Sequence, residues 1–299
     1  RSTLLASSAA SDVYKRQSIC GNDYLCIMYK EYQPCNLLSP YIDRYWEYEG
    51  KTECGIKFHI PPHGCADIIF TLGNVVDYLD QSMPMRSHCS YFVGPMNTYT
   101  ELVAHTENIH ILGVRFRPCG LSQFIELPLN ELVNKKLCTS DLPTIFEHSF
   151  AEMLCEKVDT KQRLDAIEER LVRQLIHSNR SCDRQIVLAV SRIMQGKGIT
   201  PIKQLSSDIC LCQRHFARKF RIYTGYSPKE YSQIVKFWNA IEILRNCNPF
   251  DNLLSIAVEA GYYDASHLSK EVKRLSGNSP YAFLSSPTGH EVKVIHIEY

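Results

Sequence analysis

The chain has 299 residues, 44% of them hydrophobic and 22% charged, with 33 Lys+Arg against 32 Asp+Glu and a net charge of +1. This length suits about two modest cores, and the small net charge conceals an asymmetry between the two ends of the chain. No apolar run of about 18 residues and no apolar leader is present, so the expectation is a cytoplasmic protein with no membrane partner.

The chain opens with RSTLLASSAASDVYKRQ, residues 1–17, which has no periodic pattern and reads as a non-native, disordered tail, with a native start near Ser18 or at Met28. Residues 28–140 read as a β-rich sensor or regulatory domain. In GIKFHIPPHGCADIIFTLG, Ile56, Phe58 and Ile60 alternate, the run breaks at Pro61-Pro62 and His63-Gly64, and Ile68, Phe70 and Leu72 resume it. Further on, Leu112, Val114 and Phe116 alternate with Arg115 and Arg117, which places the apolar set on a buried face and the arginines on the other. Strands of this size with Gly/Pro turns predict a small barrel or sandwich, whose mouth is a common place for a small-molecule effector. His59, His63 and Asp67 are of metal-ligating type but lack a His-x-His pair with a following glutamate. They read as turn and backbone-bonding residues, with no metal and no cofactor. Trp46 and Tyr48 read as core aromatics.

Residues 141–181 return to helical spacing. Asp141 and Pro143 mark a start ahead of Ile145, Phe146, Phe150, Met153 and Leu154; Thr160 precedes Leu164, Ile167, Leu171 and Leu175. These are expected as linker or interface helices, whose stripes suit packing within the chain or a homodimer. The 13 cysteines are scattered without a C-x-x-C pair, which argues against a disulfide framework or a structural zinc site and leaves reduced thiols.

An internal repeat with an offset of 52 follows. Gly225, Ser227 and Pro228 fall on Gly277, Ser279 and Pro280; Phe216 falls on Leu268, Phe220 on Val272, Arg218 on Lys270 and Arg221 on Lys273. Upstream, the same offset sets Ile202 on Leu254 and Leu205 on Ala257. Each copy predicts helix, turn and helix, and Tyr231, Ile234, Val235, Trp238, Ile241 and Leu244 mark a helix joining them. AVEAGYYDASHLSKEVKRLSGNSP, in the second copy, is similar to the signature of AraC/XylS-type transcription regulators: an alanine, a Gly-aromatic turn, Ser-x-Leu, a basic residue and a final Gly-x-Ser-Pro. It departs from that signature at Val272 and at Ala282-Phe283, and the first copy has Ile209-Cys210 where a turn glycine is expected. The resemblance implies an all-α, homeodomain-like double helix-turn-helix domain over residues 182–286, with a tail at 287–299. Residues 40–140 resemble a cupin-like sensor domain found ahead of it in one branch of the family. The fold class is therefore α+β, in two domains.

The resemblance implies base contacts from Gln213, Arg214, Ala217 and Arg218 in the first unit and from Ala265, Ser266, Ser269 and Lys270 in the second. Lys219, Arg221, Lys273 and Arg274 are expected at phosphates. Residues 181–299 hold 15 Lys+Arg against 10 Asp+Glu, so the basic excess lies in the repeat-bearing end. The function expected is a bacterial, non-enzymatic, sequence-specific regulator that binds double-stranded DNA in two successive major grooves and contacts RNA polymerase. Two alternatives are a metal-dependent cupin enzyme and a DNA-alkylation-repair methyltransferase, the latter suggested by Arg117-Pro118-Cys119-Gly120. Gly120 stands where that thiol needs an activating histidine.

Overall fold

The computed structural model describes residues 17–19, 26–51, 57–73, 76–79, 83–103, 108–142, 145–178, 180–247 and 252–284. The expected tails lie outside these residues, apart from Gln17 at the edge of the first. Eleven strands and eight α-helices occur among the described residues, the strands grouped in the amino-terminal half.

The strands are β1 (Gln17–Ile19), β2 (Cys26–Tyr32), β3 (Ile42–Lys51), β4 (Lys57–Ile60), β5 (Asp67–Thr71), β6 (Val76–Leu79), β7 (Met83–Arg86), β8 (Ser90–Val93), β9 (Thr100–Val103), β10 (Asn108–Phe116) and β11 (Lys136–Cys138). A seven-stranded sheet in the order β1-β2-β3-β10-β5-β8-β11 faces a four-stranded sheet in the order β4-β9-β6-β7. Side chains alternate across each strand, so the larger sheet has two apolar faces to bury. Its inner face contributes Tyr29, Trp46, Tyr48, Ile69, Tyr91, Ile109 and Ile111, which meet Met85 and Leu102 from the smaller sheet. Its outer face contributes Tyr45, Ile68, Phe70, Phe92, Leu112, Val114 and Phe116.

Two helices, α1 (His148–Cys155) and α2 (Thr160–His177), cover that outer face through Ala151, Leu154, Ile167 and Leu171. Their apolar stripes are spent inside the chain. The first begins later than the sequence predicts: residues 139–141 form a 3-10 turn, and Ile145 and Phe146 are buried without being helical. In the second, Asp159 is the cap, its carboxylate accepting from the Gln162 amide at 2.8 Å. Thr160 then donates its hydroxyl to Glu47 at 2.9 Å, tying α2 to β3. Glu47 is 1% exposed; burial opposes its charge, but hydrogen bonds from His110, Tyr32 and Thr160 outweigh that and hold its carboxyl below the usual range.

Arg115 corrects the expectation drawn from alternation. It faces the space between the two sheets, is 4% exposed, and makes a two-pronged contact with Asp67 at 3.0 and 3.2 Å. The Trp46 indole donates to the same carboxylate at 3.0 Å and lies so close over Gly113 that a Cβ there would fall 2.0 Å from the ring. Both faces of β10 are buried, so a charged residue on the second face signals a buried pair, and solvent exposure does not follow.

The carboxyl-terminal helices are α3 (Arg184–Gln195), α4 (Ile202–Asp208), α5 (Gln213–Thr224), α6 (Pro228–Asn246), α7 (Leu253–Glu259) and α8 (Ala265–Ser276). They share one core, with Ile186, Ile193, Phe216, Phe220, Phe237, Ile241, Leu268 and Val272 at its centre. This half is fastened to the β-rich half. Trp238 Nε1 donates to Pro62 O at 2.8 Å and its ring stacks on His63 at 4.8 Å. Tyr226 donates its hydroxyl to Met96 O at 2.8 Å, and Gly64 lies so near that a Cβ would fall 2.6 Å from the Tyr231 ring. The connection between the halves is held too: Gln123 Nε2 donates to Arg180 O at 2.8 Å.

Candidate nucleic-acid interface

The two copies of the repeat fold as two helix-turn-helix units, α4–α5 and α7–α8, with α6 between them. The second helices match at an offset of 52: α5 spans 213–224 and α8 spans 265–276. Each ends on a left-handed glycine, Gly225 at φ 85° and Gly277 at φ 73°, the conformation that stops a helix without a Cβ clash. The hydroxyls of Thr224 and Ser276 reach back to the carbonyls of Phe220 and Val272 at 2.7 Å, so the stop is repeated to the level of single hydrogen bonds.

The first helices match at 51, one residue short of the expected offset. Ile209, Cys210 and Leu211 donate their amides to Leu205, Ser207 and Ser206, and the corresponding donors Ala260, Gly261 and Tyr262 bond Ile256, Val258 and Ala257. Ile202 therefore corresponds to Leu253 and Leu205 to Ile256, and the second turn is one residue longer. This alignment puts Cys210, at φ 56°, in the place of Gly261, at φ 81°. The first copy thus holds a non-glycine residue in the left-handed region, which costs roughly 1–2 kcal/mol.

Phe216 and Phe220, like Leu268, Val272 and Leu275, are fully buried, which fixes the rotation of both second helices about their axes. Gln213, Arg214 and Arg218 are consequently exposed, with Ala217 half-buried beside them. On α8, Ser266 and Lys270 are exposed and Ala265 and Ser269 are half-buried. Every residue expected to read bases therefore keeps some contact with solvent. Ser269 turns its hydroxyl back to Ala265 O at 2.8 Å, and Arg218 lies 3.4 Å from His215 Nδ1. The Asp264 carboxylate caps α8 by accepting from the His267 amide at 2.7 Å.

The four expected phosphate contacts divide. Arg221 and Lys273 are exposed in the last turns of α5 and α8, where a positive charge also complements the helix dipole. Lys219 is held inside the domain by Asp183 Oδ2 at 2.5 Å and Gln185 Oε1 at 2.9 Å. Asp183 also caps α3, so one carboxylate joins α3 to α5. Arg274 pairs with Glu271 at 2.8 Å and donates to Asn97 O at 3.2 Å, while Thr98 donates its hydroxyl to Arg274 O at 3.1 Å. Periodicity along α8 could not register partners so distant in sequence.

The residues considered for metal or thiol chemistry are engaged separately. Asp67 serves Arg115, His63 stacks on Trp238, and His59 lies against Glu101 at 3.4 Å and Asn278 at 3.3 Å. Among the described residues one other trio, Glu47, Glu49 and His110, brings its ligand atoms within 4.8 Å. The Glu47 carboxylate already accepts from Tyr32 and Thr160 there. Cys119 is 4% exposed in the carboxyl-terminal core, and burial pushes its thiol far above the ordinary range, the reverse of what a nucleophilic thiol needs. Among the described residues no helix is long and apolar enough to cross a membrane.

Comparison with known proteins adds two family matches. Residues 205–286 match the family described as a helix-turn-helix domain, and residues 30–138 match a domain of unknown function, DUF6597. No curated protein matches the chain. Among solved structures it is similar to ToxT from Vibrio cholerae, at 10% identity over 81% of this chain and 99% of that one, with a TM-score of 0.49. It is also similar to the DNA-binding domain of AdpA in complex with a target DNA, at 20% identity over 34% of this chain and 90% of that one, TM-score 0.31. The carboxyl-terminal domain of AraT from Geobacillus stearothermophilus gives 16% identity over 36% and 91%, TM-score 0.32. With its duplicated units, glycine stops and outward-facing second helices, the segment 205–286 is a helix-turn-helix domain.

Proposed function

We propose that α5 and α8 enter two successive major grooves of double-stranded DNA and read base edges there. Gln213, Arg214, Ala217 and Arg218 are the readers on α5; Ala265, Ser266, Ser269 and Lys270 are the readers on α8. The observation that carries this reading is the pair of second helices, locked in rotation by buried Phe216, Phe220, Leu268 and Val272, each offering its polar side outward. Arginine and glutamine form paired hydrogen bonds with guanine and adenine edges, so α5 specifies more bases than α8. Arg221 and Lys273 serve as phosphate contacts, whereas Lys219 and Arg274 act first as internal ties.

The β-rich half, coupled to the DNA-binding half through Trp238, Tyr226 and Arg274, is assigned the sensing role, with a small molecule as effector. RNA polymerase and a second copy of the chain are the protein partners assigned. A regulator that acts by binding needs no catalytic residue, and none is assigned.

The test is a salt-controlled titration of the full chain on a duplex selected from random DNA. Arg218→Ala should weaken specific binding by about 1–3 kcal/mol and relax selection at one base pair. Lys273→Ala should weaken specific and random binding alike and lower the salt slope by about 1. Equal losses on both duplexes for Arg218→Ala would contradict base reading from α5.

A further inference from the structure

We propose that the cleft between the two helix-turn-helix units is a binding site for a phosphate-type oxyanion, held by Lys229 and Lys236 of α6 with Gln233 between them and His267 of α8 opposite. No residue of this set belongs to the reading surface assigned above.

The cleft has a volume of about 380 Å³ and draws its walls from both units: Gly198 and Thr200 before α4, one face of α6, and Tyr262, His267 and Glu271 of the second unit. Lys229 and Lys236 stand seven residues apart, two turns along α6, so their stems rise from one side of the helix. Among the described residues neither has a carboxylate within ion-pair distance. Lys236 instead places its ammonium 4.3 Å above the centre of the Tyr262 ring and 3.3 Å from Gly261 O. The one acid lining the cleft, Glu271, is already engaged by Arg274 at 2.8 and 3.2 Å. The arrangement leaves two cations and several neutral donors facing a shared space.

Burial lowers the pKa of Lys236, and the nearby charge of Glu271 offsets that only in part. The Tyr262 hydroxyl in the same wall is shielded from solvent and has no hydrogen-bond partner among the described residues. An oxyanion with three or four oxygens accepts from several donors at once and adds negative charge beside the two lysines. Lysine ammonium groups act on phosphate as point charges without a fixed geometry, which suits two flexible stems around a cleft of this size.

Two sources offer this chemistry. His267 directly follows Ser266, one of the α8 readers, and Lys229 lies five residues beyond the end of α5. The cleft thus borders α8 directly, and α6, which carries both lysines, joins the two units. A duplex spanning both would present there the phosphates that flank the intervening minor groove. The second source is a free phosphate or phosphorylated small molecule, which would brace the two units at one spacing. Only the first source rests on the DNA reading above.

The experiment uses the full chain as wild type, as the double variant Lys229→Gln/Lys236→Gln, as Gln233→Glu, and as the distant control Lys161→Gln. Gln233→Glu removes no lysine stem, so it covers the case in which the double variant folds poorly. One arm measures Tm in inorganic phosphate against chloride at matched ionic strength. The other measures the salt slope on a selected duplex and on random DNA. A DNA source predicts that the double variant lowers the slope by about 1–2 and weakens both duplexes alike, roughly tenfold at moderate salt, with Lys161→Gln unchanged. A free-anion source predicts that phosphate raises the Tm of wild type and of Lys161→Gln but of neither cleft variant, with DNA slopes equal. Wild-type behaviour of both cleft variants in both arms overturns the site while leaving DNA reading intact. Loss of all wild-type DNA selection with a cleft-dependent phosphate shift would instead remove the DNA reading and keep the site.

Discussion

Arg115 and Asp67 form a buried charge pair whose value lies in its completeness. Truncation of one partner leaves the other ionised between two sheets, so Arg115→Ala should destabilise the protein by about 3–5 kcal/mol. Arg115→Met combined with Asp67→Leu should recover most of that loss, because no unpaired charge remains. Denaturant midpoints of the single and double variants measure this, and a single variant no worse than a surface substitution would contradict the pairing. Cys210 and Gly261 provide a matched test of backbone strain at equivalent turns. Cys210→Gly should raise stability by about 0.5 kcal/mol, since relief of a left-handed residue exceeds the added freedom of the unfolded chain. Gly261→Ala should lower it by about 1–2 kcal/mol, because a Cβ there combines φ 81° with an approach of 2.8 Å to Ile199. Melting temperatures that moved in the same direction would refute the equivalence of the two turns.

At the scale of the element, the helix pairs were the most legible part of the sequence. Phe216 and Phe220, matched by Leu268 and Val272, recur at helical spacing and name both the buried side and the polar one. Glycines at 225 and 277 mark the ends, and Ser227-Pro228 marks the start of α6, where Ser227 and Glu230 complete a capping box. The turn of the first copy was less legible, because the left-handed position is filled by cysteine and the first helices align at 51. The start of α1 was misplaced for a related reason: Ile145 and Phe146 are buried by the sheet without being helical, and periodicity cannot separate burial from helix. The strands were legible where one face is apolar, as with Leu112, Val114 and Phe116. Arg115 on the other face was not, because alternation says nothing about a second sheet above it. Of the candidate site, the residues of α5 and α8 were named by the family resemblance, while the buried positions of the repeat indicated only which side of each helix faces outward. The ties of Lys219 to Asp183 and of Arg274 to Asn97 connect elements 36 to 177 residues apart and leave no local pattern.

The molecule as a whole is a β-rich half clamped onto a helix-turn-helix half, and the clamp contains a titratable group. His63 is buried against Trp238, and burial together with the charges of Arg115 and Arg44 holds its pKa well below the ordinary value. A histidine whose folded pKa is depressed contributes full stability above the unfolded value near 6.5 and loses it as the pH falls below that value. The difference in unfolding free energy between wild type and His63→Gln, measured by urea titration, should therefore shrink from pH 7.5 to pH 5, by at most about 1.4 kcal/mol per pH unit below 6.5. A difference that stayed constant over that range would show that the clamp tolerates a charged imidazole. Under the proposed function, loosening of this clamp would reach α8 directly, since Arg274 in α8 bonds Asn97 on the other side of the contact. The most direct test of the central claim, that two rigid and duplicated units read one duplex, is phosphate and base interference footprinting on a site selected from random DNA. Two major-groove patches on one face of the helix, about 10–10.5 base pairs apart and weakened separately by Arg218→Ala and Lys270→Ala, are predicted. A single patch, or two patches whose spacing varies freely among selected sites, would contradict it.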